Sequence, residues 1–382
     1  MLWGCSAARA PAVAPPIGDE VAAPAAVGLE YLGAAVYRTG ALRVPGESLV
    51  FGSISGLALD PQTKRWVGAM DATNRPRLAW MEIAVPAGQP VVSPVAFTFL
   101  HGVPGLTPPG ILEALDMESI VVLPDGSFLS TNEGHTDRDG LAHQPMVVRI
   151  ARDGGVTGVV RPRAHFTIDA ADESHGVRHN LGLESLTRTP DGRLISGLEQ
   201  PLAQDGPMST IGRGGLVRLV EFVPQGDSWT PGREWAYALD PTPLRRGYRG
   251  PCQDGENGLS ELFALDDTRF IALERACLVG AGRTALNPVR LNLVDVDGAD
   301  DVSSRVSLAG VTTIRLATKR LLLDLTTLTD RVPMALRTMS NFEGLAAGPP
   351  APDGSPTLIV ISDDNFRASQ TFAVMWLKLR LQ

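Results

Sequence analysis

The chain has 382 residues, of which 44% are hydrophobic and 20% are charged, an ordinary balance for a globular protein. Its formal net charge of −8 argues against nucleic acid as a partner, because binding to phosphates requires a basic surface. No run approaches the roughly 18 apolar residues that a membrane-spanning helix needs, so we expect no transmembrane helix.

Residues 1–28 are predicted to lie outside the folded domain, as a signal remnant followed by an Ala/Pro-rich tether. Residues 2–5, Leu-Trp-Gly-Cys, resemble the end of a bacterial lipoprotein signal, in which Cys5 would carry a lipid anchor. Only four residues precede Cys5, so either the start codon is assigned too late or the resemblance is chance. The lipoprotein interpretation predicts an extracytoplasmic location: periplasmic, secreted or anchored to a bacterial envelope.

One hairpin-like unit recurs five times between residues 54 and 363. In the third copy, NLGLESLTRTPDGRLISGLE (residues 180–199), two short apolar runs flank Pro190-Asp191-Gly192. Proline presets φ there, and glycine supplies the positive φ of a tight turn. The other copies are ISGLALDPQTKRWVGAMD, MESIVVLPDGSFLSTNE, LSELFALDDTRFIALER and FEGLAAGPPAPDGSPTLIVISD. Five diverged copies of one unit are typical of a repeat architecture.

Further strand-like runs follow each hairpin. They cover residues 77–85 and 91–100, 146–150 and 156–166, 216–223 and 234–239, 289–296 and 319–325, and 371–381. Four strands per repeat are typical of a β-propeller blade. We therefore predict an all-β fold, a single propeller of five blades over residues 29–382, with six blades as the alternative. The last repeat lacks a fourth strand, and residues 29–37 are expected to supply it by pairing with the C-terminal strand. Short helical segments remain open for residues 309–319 and 326–338.

The hairpins carry polar residues at two equivalent positions. The start of the first strand holds Ser55, Glu118, Glu184, Ser260 and Glu343, and the end of the second strand holds Asp71, Glu133, Glu199, Arg275 and Asp363. Because these two ends of an antiparallel hairpin lie side by side, all ten side chains are expected at one mouth of the propeller. Seven carboxylates facing one guanidinium favour the binding of cations, and an all-oxygen set favours calcium over zinc.

This arrangement assigns roles to the repeated residues. The predicted metal ligands are Glu118, Glu184, Glu343, Asp71 and Asp363. Glu133 or Glu199 would orient the attacking water or act as a base, and Arg275 would bind an anionic group. His135 is a further candidate acid or base, with a solvated loop histidine as the alternative. The structural alternative for the glutamates is that they pair with backbone N–H groups or arginines and only lock the blades together.

A disulfide is predicted between Cys252 and Cys277. The two cysteines approach the same edge of the fourth hairpin, one before its first strand and one after its second, so their Cα atoms can come within about 6 Å. In an oxidising compartment such thiols would join and leave Cys5 free for lipidation. Two independent buried thiols are the alternative.

The hairpin motifs resemble those of the phytase-like family, described as having esterase-like activity of the phytase type. The resemblance covers roughly residues 50–380 and rests on DMESIVVLPDGSFLSTNEGH, NLGLESLTRTPDGRLISGLEQP, NGLSELFALDDTRFIALER and NFEGLAAGPPAPDGSPTLIVISDDNF. It implies a secreted or envelope-associated propeller that binds calcium and hydrolyses phosphate esters or related esters. Calcium-dependent phytases carry several basic residues that face the phosphates. Here Arg178 and Arg367 are the candidates beside Arg275, and this shortage weighs against phytate itself.

Three functions remain open from the sequence. The first is a calcium-dependent ester hydrolase, with phosphate esters preferred, a small-molecule substrate, and Asn180, Asn341, Arg178 and Arg367 as substrate-binding residues. The second is a non-catalytic propeller, stabilised by calcium, that binds an envelope glycan or protein. The third is a lactonase-type propeller hydrolase with the same metal chemistry. A monomer is expected in each case.

Overall fold

The computed structural model describes residues 27–72, 75–243, 245, 247–251, 257–280 and 285–381. Within these residues the fold is all-β, and the only helices are short 3₁₀ turns. The predicted signal remnant and tether falls largely on residues 1–26, which lie outside the described part. Among the described residues no helix is both long enough and apolar enough to span a bilayer.

Five antiparallel sheets form five blades, and the first three follow the predicted hairpins closely. The first blade consists of β2 (Ile54–Leu59), β3 (Trp66–Met70), β4 (Arg77–Ala84) and β5 (Val91–Phe99). The second consists of β7 (Met117–Val122), β8 (Phe128–Asn132), β11 (Met146–Ile150), β12 (Gly155–Val160) and, at its outer edge, the parallel β6 (His101–Gly102). The third consists of β13 (Leu183–Arg188), β14 (Leu194–Leu198), β15 (Leu216–Gln225) and β16 (Ser228–Ala238).

The fourth and fifth blades complete the ring. The fourth consists of β18 (Gly258–Ala264), β19 (Arg269–Arg275), β22 (Val289–Asp295) and β23 (Thr318–Asp324). The fifth consists of β24 (Asn341–Ala347), β25 (Thr357–Asp363), β26 (Thr371–Leu381) and β1 (Val27–Arg38). β1 pairs with β26 along its length, from Val27 opposite Leu381 to Arg38 opposite Thr371. The prediction of five blades, closed by the N- and C-terminal strands, is confirmed.

Small elements lie between the blade strands. β9 (His135–Thr136) and β10 (Ala142–His143) form a separate hairpin, and β17 (Tyr248–Pro251), β20 (Leu278–Gly280) and β21 (Ala285–Leu286) form a small sheet. Short helices were one option for residues 309–319 and 326–338. The structure has only the 3₁₀ turns Leu325–Leu328 and Met334–Leu336 there, and residues 309–317 are irregular.

The hydrophobic core lies between the faces of neighbouring blades. The inner strands β2, β7, β13, β18 and β24 contact one another in that order around the ring, and β24 returns to β2. Each inner strand buries one aliphatic side chain at an equivalent place: Leu57, Ile120, Leu186, Leu262 and Leu345. These five side chains therefore mark the same buried position in each of the five blades.

Every inner strand is interrupted by a β-bulge at the same point. The pairing with the second strand skips Ser55, Glu118 with Ser119, Glu184, Ser260 and Glu343. A bulge turns a side chain out of the regular alternation of a strand. The residue at this position therefore has no paired residue on the neighbouring strand. Glycine follows the bulge where neighbouring strands meet closely: a Cβ on Gly56 would lie 2.5 Å from the Cα of Ser119.

Candidate functional site

Carboxylates from four blades converge at one mouth of the ring. The structure forms two groups of three whose carboxylate oxygens lie within 4.8 Å of one another: Asp116, Glu118 and Glu133, and Glu133, Glu184 and Glu199. Glu118 and Glu184 come from the bulges, whereas Glu133 and Glu199 directly follow β8 and β14. The two positions that repeat in the sequence thus meet in space, and Glu133 belongs to both groups.

One carboxylate oxygen of Glu133 accepts a hydrogen bond, and the other has no hydrogen-bond partner among the described residues. Its side chain is 1% exposed, and its Oε1 accepts a hydrogen bond from the backbone N–H of Gly182 at 3.2 Å. Its Oε2 is buried and has no hydrogen-bond partner among the described residues. A buried carboxylate oxygen without a partner is costly, so this atom points to a ligand, a cation or a proton at the centre of the mouth.

Arg275 joins two carboxylates across the mouth. Its Nη2 lies 3.2 Å from Glu199 Oε1 and 3.1 Å from Glu343 Oε1. The side-chain amide of Asn341 also donates to Glu343 Oε1 at 2.8 Å. Among the described residues, no other basic group lies within 4.0 Å of a carboxylate at the repeated positions. Within the described part of the chain, Glu118, Glu133 and Glu184 therefore make no ion pair with a basic side chain.

The electrostatics of the mouth follow from burial and crowding. Burial, reinforced by neighbouring carboxylates, raises the pKa of each glutamate in the set Glu118, Glu133, Glu184 and Glu343 well above its ordinary value. Burial and the charges of Asp116 and Asp363 raise the pKa of Asp71 to about 7. Burial also raises the pKa of Asp363 to about 6, against the lowering effect of the Asn365 N–H.

The pKa of Arg275 moves in the direction that keeps it charged. Burial acts to lower it, but Glu343 and Glu199 outweigh burial and raise the pKa above its ordinary value. The pKa of His135 is raised chiefly by the carboxylate of Asp116, whose Oδ2 lies 3.4 Å from His135 Nδ1.

A cleft of about 500 Å³ opens onto Arg275, Glu199 and Glu343. Three of the predicted substrate-binding residues line it: Asn180, Asn341 and Arg367. Arg178 does not line this cleft; it lines a neighbouring cavity of about 390 Å³ and donates to the carbonyl oxygens of Pro201 and Gly206 at 3.1 and 2.9 Å. The structure thus separates Arg178 from the other three.

Three residues of the site were missed by the sequence analysis: Asp116, His143 and His179. The ring centroids of His143 and His179 lie 4.7 and 6.4 Å from that of His135, and His135 in turn contacts Asp116. Asp116 stands two residues before Glu118, as Asn341 stands two residues before Glu343, so extending the comparison of the repeats would have found it. The two histidines have no such signal, because they lie in loops that the repeat does not share.

Cys277 lines the cleft and is disulfide-bonded. Its predicted partner, Cys252, lies outside the described residues, so the pairing stays a prediction. We expect chemical counting under denaturing, non-reducing conditions to find one free thiol, Cys5, and Cys252→Ser to raise the count to two. Three free thiols in the unsubstituted protein would contradict the bridge, and peptide mapping would reveal a bridge to Cys5 instead.

Comparison with known proteins gives one family and several distant structures. The family model for Phytase-like, described as "Esterase-like activity of phytase", matches residues 50–366. No curated protein matches the chain. An α-L-arabinanase from Penicillium chrysogenum complexed with arabinobiose is 10% identical, with 93% of this chain and 99% of that chain covered and a TM-score of 0.39. A gluconolactonase from Xanthomonas campestris is 12% identical, with 95% and 99% covered and a TM-score of 0.35. Likenesses this distant carry no argument about activity.

Proposed function

Because the chain belongs to the phytase-like family, we propose that it is a calcium-dependent ester hydrolase, with phosphate esters preferred, that acts at the acidic mouth of the propeller. The observation that carries this proposal is the open Oε2 of Glu133, buried where the two groups of three carboxylates meet. The adjoining cleft of about 500 Å³ is large enough for a small-molecule ester.

The donor set fits calcium. Every side chain in the two groups offers carboxylate oxygen, and calcium takes six to eight oxygen ligands, whereas zinc prefers nitrogen and sulfur. Of the predicted ligands, Glu118 and Glu184 belong to these groups, whereas Glu343, Asp71 and Asp363 belong to neither and stay predictions. A bound calcium ion supplies Lewis-acid polarisation of an ester oxygen and lowers the pKa of a bound water.

The side chains around that ion have separate tasks. The Gly182 N–H fixes one oxygen of Glu133, so that its other oxygen is oriented to accept a proton from the attacking water. Glu199 and Glu343 hold Arg275 at the wall of the cleft, where its guanidinium faces the bound ester. His135 lies beside Asp116, with its Nδ1 3.4 Å from Oδ2, and its proposed task is to hold that carboxylate.

Glu133→Gln tests the proposal. We expect hydrolysis of para-nitrophenyl phosphate to require calcium and to fall about a hundredfold in kcat in the variant, because the amide cannot accept the proton. Glu82→Gln, on the exposed outer part of the first blade, is the matched control and should leave the rate unchanged.

The results of these assays distinguish the three candidate functions. Equal rates in EDTA and calcium, or full activity in Glu133→Gln, would contradict the proposed chemistry. Preference for an aryl acetate or a lactone over the aryl phosphate would favour the lactonase type. Calcium binding without hydrolysis of any of these would favour the non-catalytic propeller.

We also propose the extracytoplasmic location that residues 2–5 suggested. The disulfide bond of Cys277 supports it, because structural disulfides form and persist in oxidising compartments.

A further inference from the structure

Five side-chain amides line the cleft beside the acidic mouth. Asn180, Asn287, Asn341, Asn365 and Gln370 all face it. The amides of Asn180, Asn365 and Gln370 make no hydrogen bond to another described residue, and the Oε1 atom of Gln370 is buried without a partner. An amide both donates and accepts, which matches a hydroxyl group, whereas a phosphate or sulfate oxygen only accepts.

Two arginines line the cleft, and the protein compensates their charges to different degrees. Arg275 already contacts Glu199 and Glu343, so its charge is compensated within the protein. Within the described part of the chain, the Arg367 guanidinium has no ion-pair partner closer than 4.0 Å and makes no hydrogen bond. The cleft can therefore compensate one anionic group at Arg367, and further anionic groups would face two carboxylates and the amide oxygens.

The loop of residues 363–370, which carries Arg367, is held in a defined shape. The backbone N–H groups of Asn365 and Phe366 donate to Asp363 Oδ1 at 2.6 Å and to Asp364 Oδ1 at 3.3 Å. Both residues have left-handed backbone angles, with φ of 47° and 49°, and Asp364 is fully buried. The carbonyl oxygen of Arg367 accepts bonds from Thr39 and from the Gln370 N–H. Binding at Arg367 and Gln370 therefore needs little ordering of the backbone.

We propose that the cleft binds a hydroxyl-rich substrate with at most one anionic group, which Arg367 contacts while the amides contact the hydroxyls, and that it discriminates against polyanions. This substrate class rests on the proposed function, since it describes the same cleft. It makes Arg367 and Gln370 specificity-determining residues: the first selects charge and the second selects hydroxyl groups.

Binding of three probes by the calcium-loaded protein tests the inference, measured by ligand-observed NMR titration. The probes are glucose, glucuronate and myo-inositol hexasulfate, which carry zero, one and six anionic groups. We expect glucuronate to bind at least tenfold more tightly than either of the others. Arg367→Gln should weaken glucuronate binding about tenfold and leave glucose unchanged. Gln370→Leu should weaken glucose and glucuronate by the same factor.

Two control variants accompany this experiment, and specific results would overturn the inference. Arg43→Gln removes an exposed arginine that does not line the cleft and should change nothing. Arg367→Lys keeps the charge and should retain part of the glucuronate affinity, and circular dichroism verifies that each variant folds. Hexasulfate binding as tight as glucuronate binding, or an unchanged affinity in Arg367→Gln, would overturn the inference. Hydrolysis of aryl phosphate without glucuronate binding overturns only this inference, and glucuronate binding without hydrolysis overturns only the proposed function.

Discussion

In calcium-free buffer, the protein is expected to melt at a higher temperature at pH 5 than at pH 8. The carboxyls at the mouth have raised pKa values in the folded chain, so the folded state holds protons that the unfolded state has released. A state that binds more protons loses relative stability as the pH rises. For Asp71 and Asp363 the loss runs from about pH 4 to pH 7 and pH 6 respectively, and the raised pKa values of the glutamates act in the same direction.

The size of this effect is large for a single site. A carboxyl whose pKa rises from 3.8 to about 7, as at Asp71, destabilises the folded state by on the order of 4 kcal/mol once it is ionised in both states. Calcium should reverse the trend, because it binds the ionised carboxylates of the folded ring and not the unfolded chain.

Melting curves from pH 5 to pH 8, in EDTA and in calcium, measure both effects. Replacing Glu118 and Glu184 together by glutamine should flatten the profile in EDTA and weaken the response to calcium, since neither residue pairs with Arg275. The exposed Glu82→Gln serves as the control. A melting temperature that is independent of pH in EDTA would contradict the raised pKa values, and one unaffected by calcium at pH 8 would contradict a calcium site at the mouth.

Arg218→Met is expected to lower the free energy of unfolding by about 3–5 kcal/mol, because it leaves buried carboxylates without their partner. Arg218 is fully buried in β15. Its Nε and Nη2 lie 2.7 and 2.8 Å from the two oxygens of Asp205, and its Nη1 lies 2.8 Å from Glu234. The same Nη1 donates to the carbonyl oxygen of Arg305 at 2.9 Å, which ties an irregular segment to the third blade.

Urea unfolding gives the measurement, and the chain offers a matched control. Arg315 pairs with Asp300 at 2.7 Å, but its side chain is 73% exposed, so Arg315→Met should cost no more than about 1 kcal/mol. Equal losses in the two variants would mean that the buried network contributes no more than a surface pair.

The repeat made much of this site predictable from the sequence. Comparing five hairpins aligned Glu118, Glu184 and Glu343, and the structure places all three at equivalent bulges. The bulges themselves had no sequence signal, because serine occupies the same position in two blades. The pairing of Arg275 with two carboxylates from different blades also could not be predicted, since it depends on how the ring closes.

Two of the site residues that were not predicted lie in segments that the five repeats do not share. His143 and His179 belong to loops peculiar to the second and third blades, and only the packing of those loops brings their rings near His135. Short helices were one option for residues 309–319, but residues 318–319 begin β23, and the Ala317 N–H donates to the carbonyl oxygen of Ala236 in the third blade at 3.0 Å. Tertiary contacts decided both cases.

The pairing of β1 with β26 has a consequence for how the protein is made. Val27 is synthesised some 350 residues before its partner Leu381. Joining strands so far apart costs roughly 5 kcal/mol of chain entropy, which only the finished blade can offset. Until β26 has been made the fifth blade is incomplete, and Glu343 has not yet come to lie beside the first blade. A chain that lacks β26 therefore holds the carboxylates of the second and third blades but has no closed ring around them.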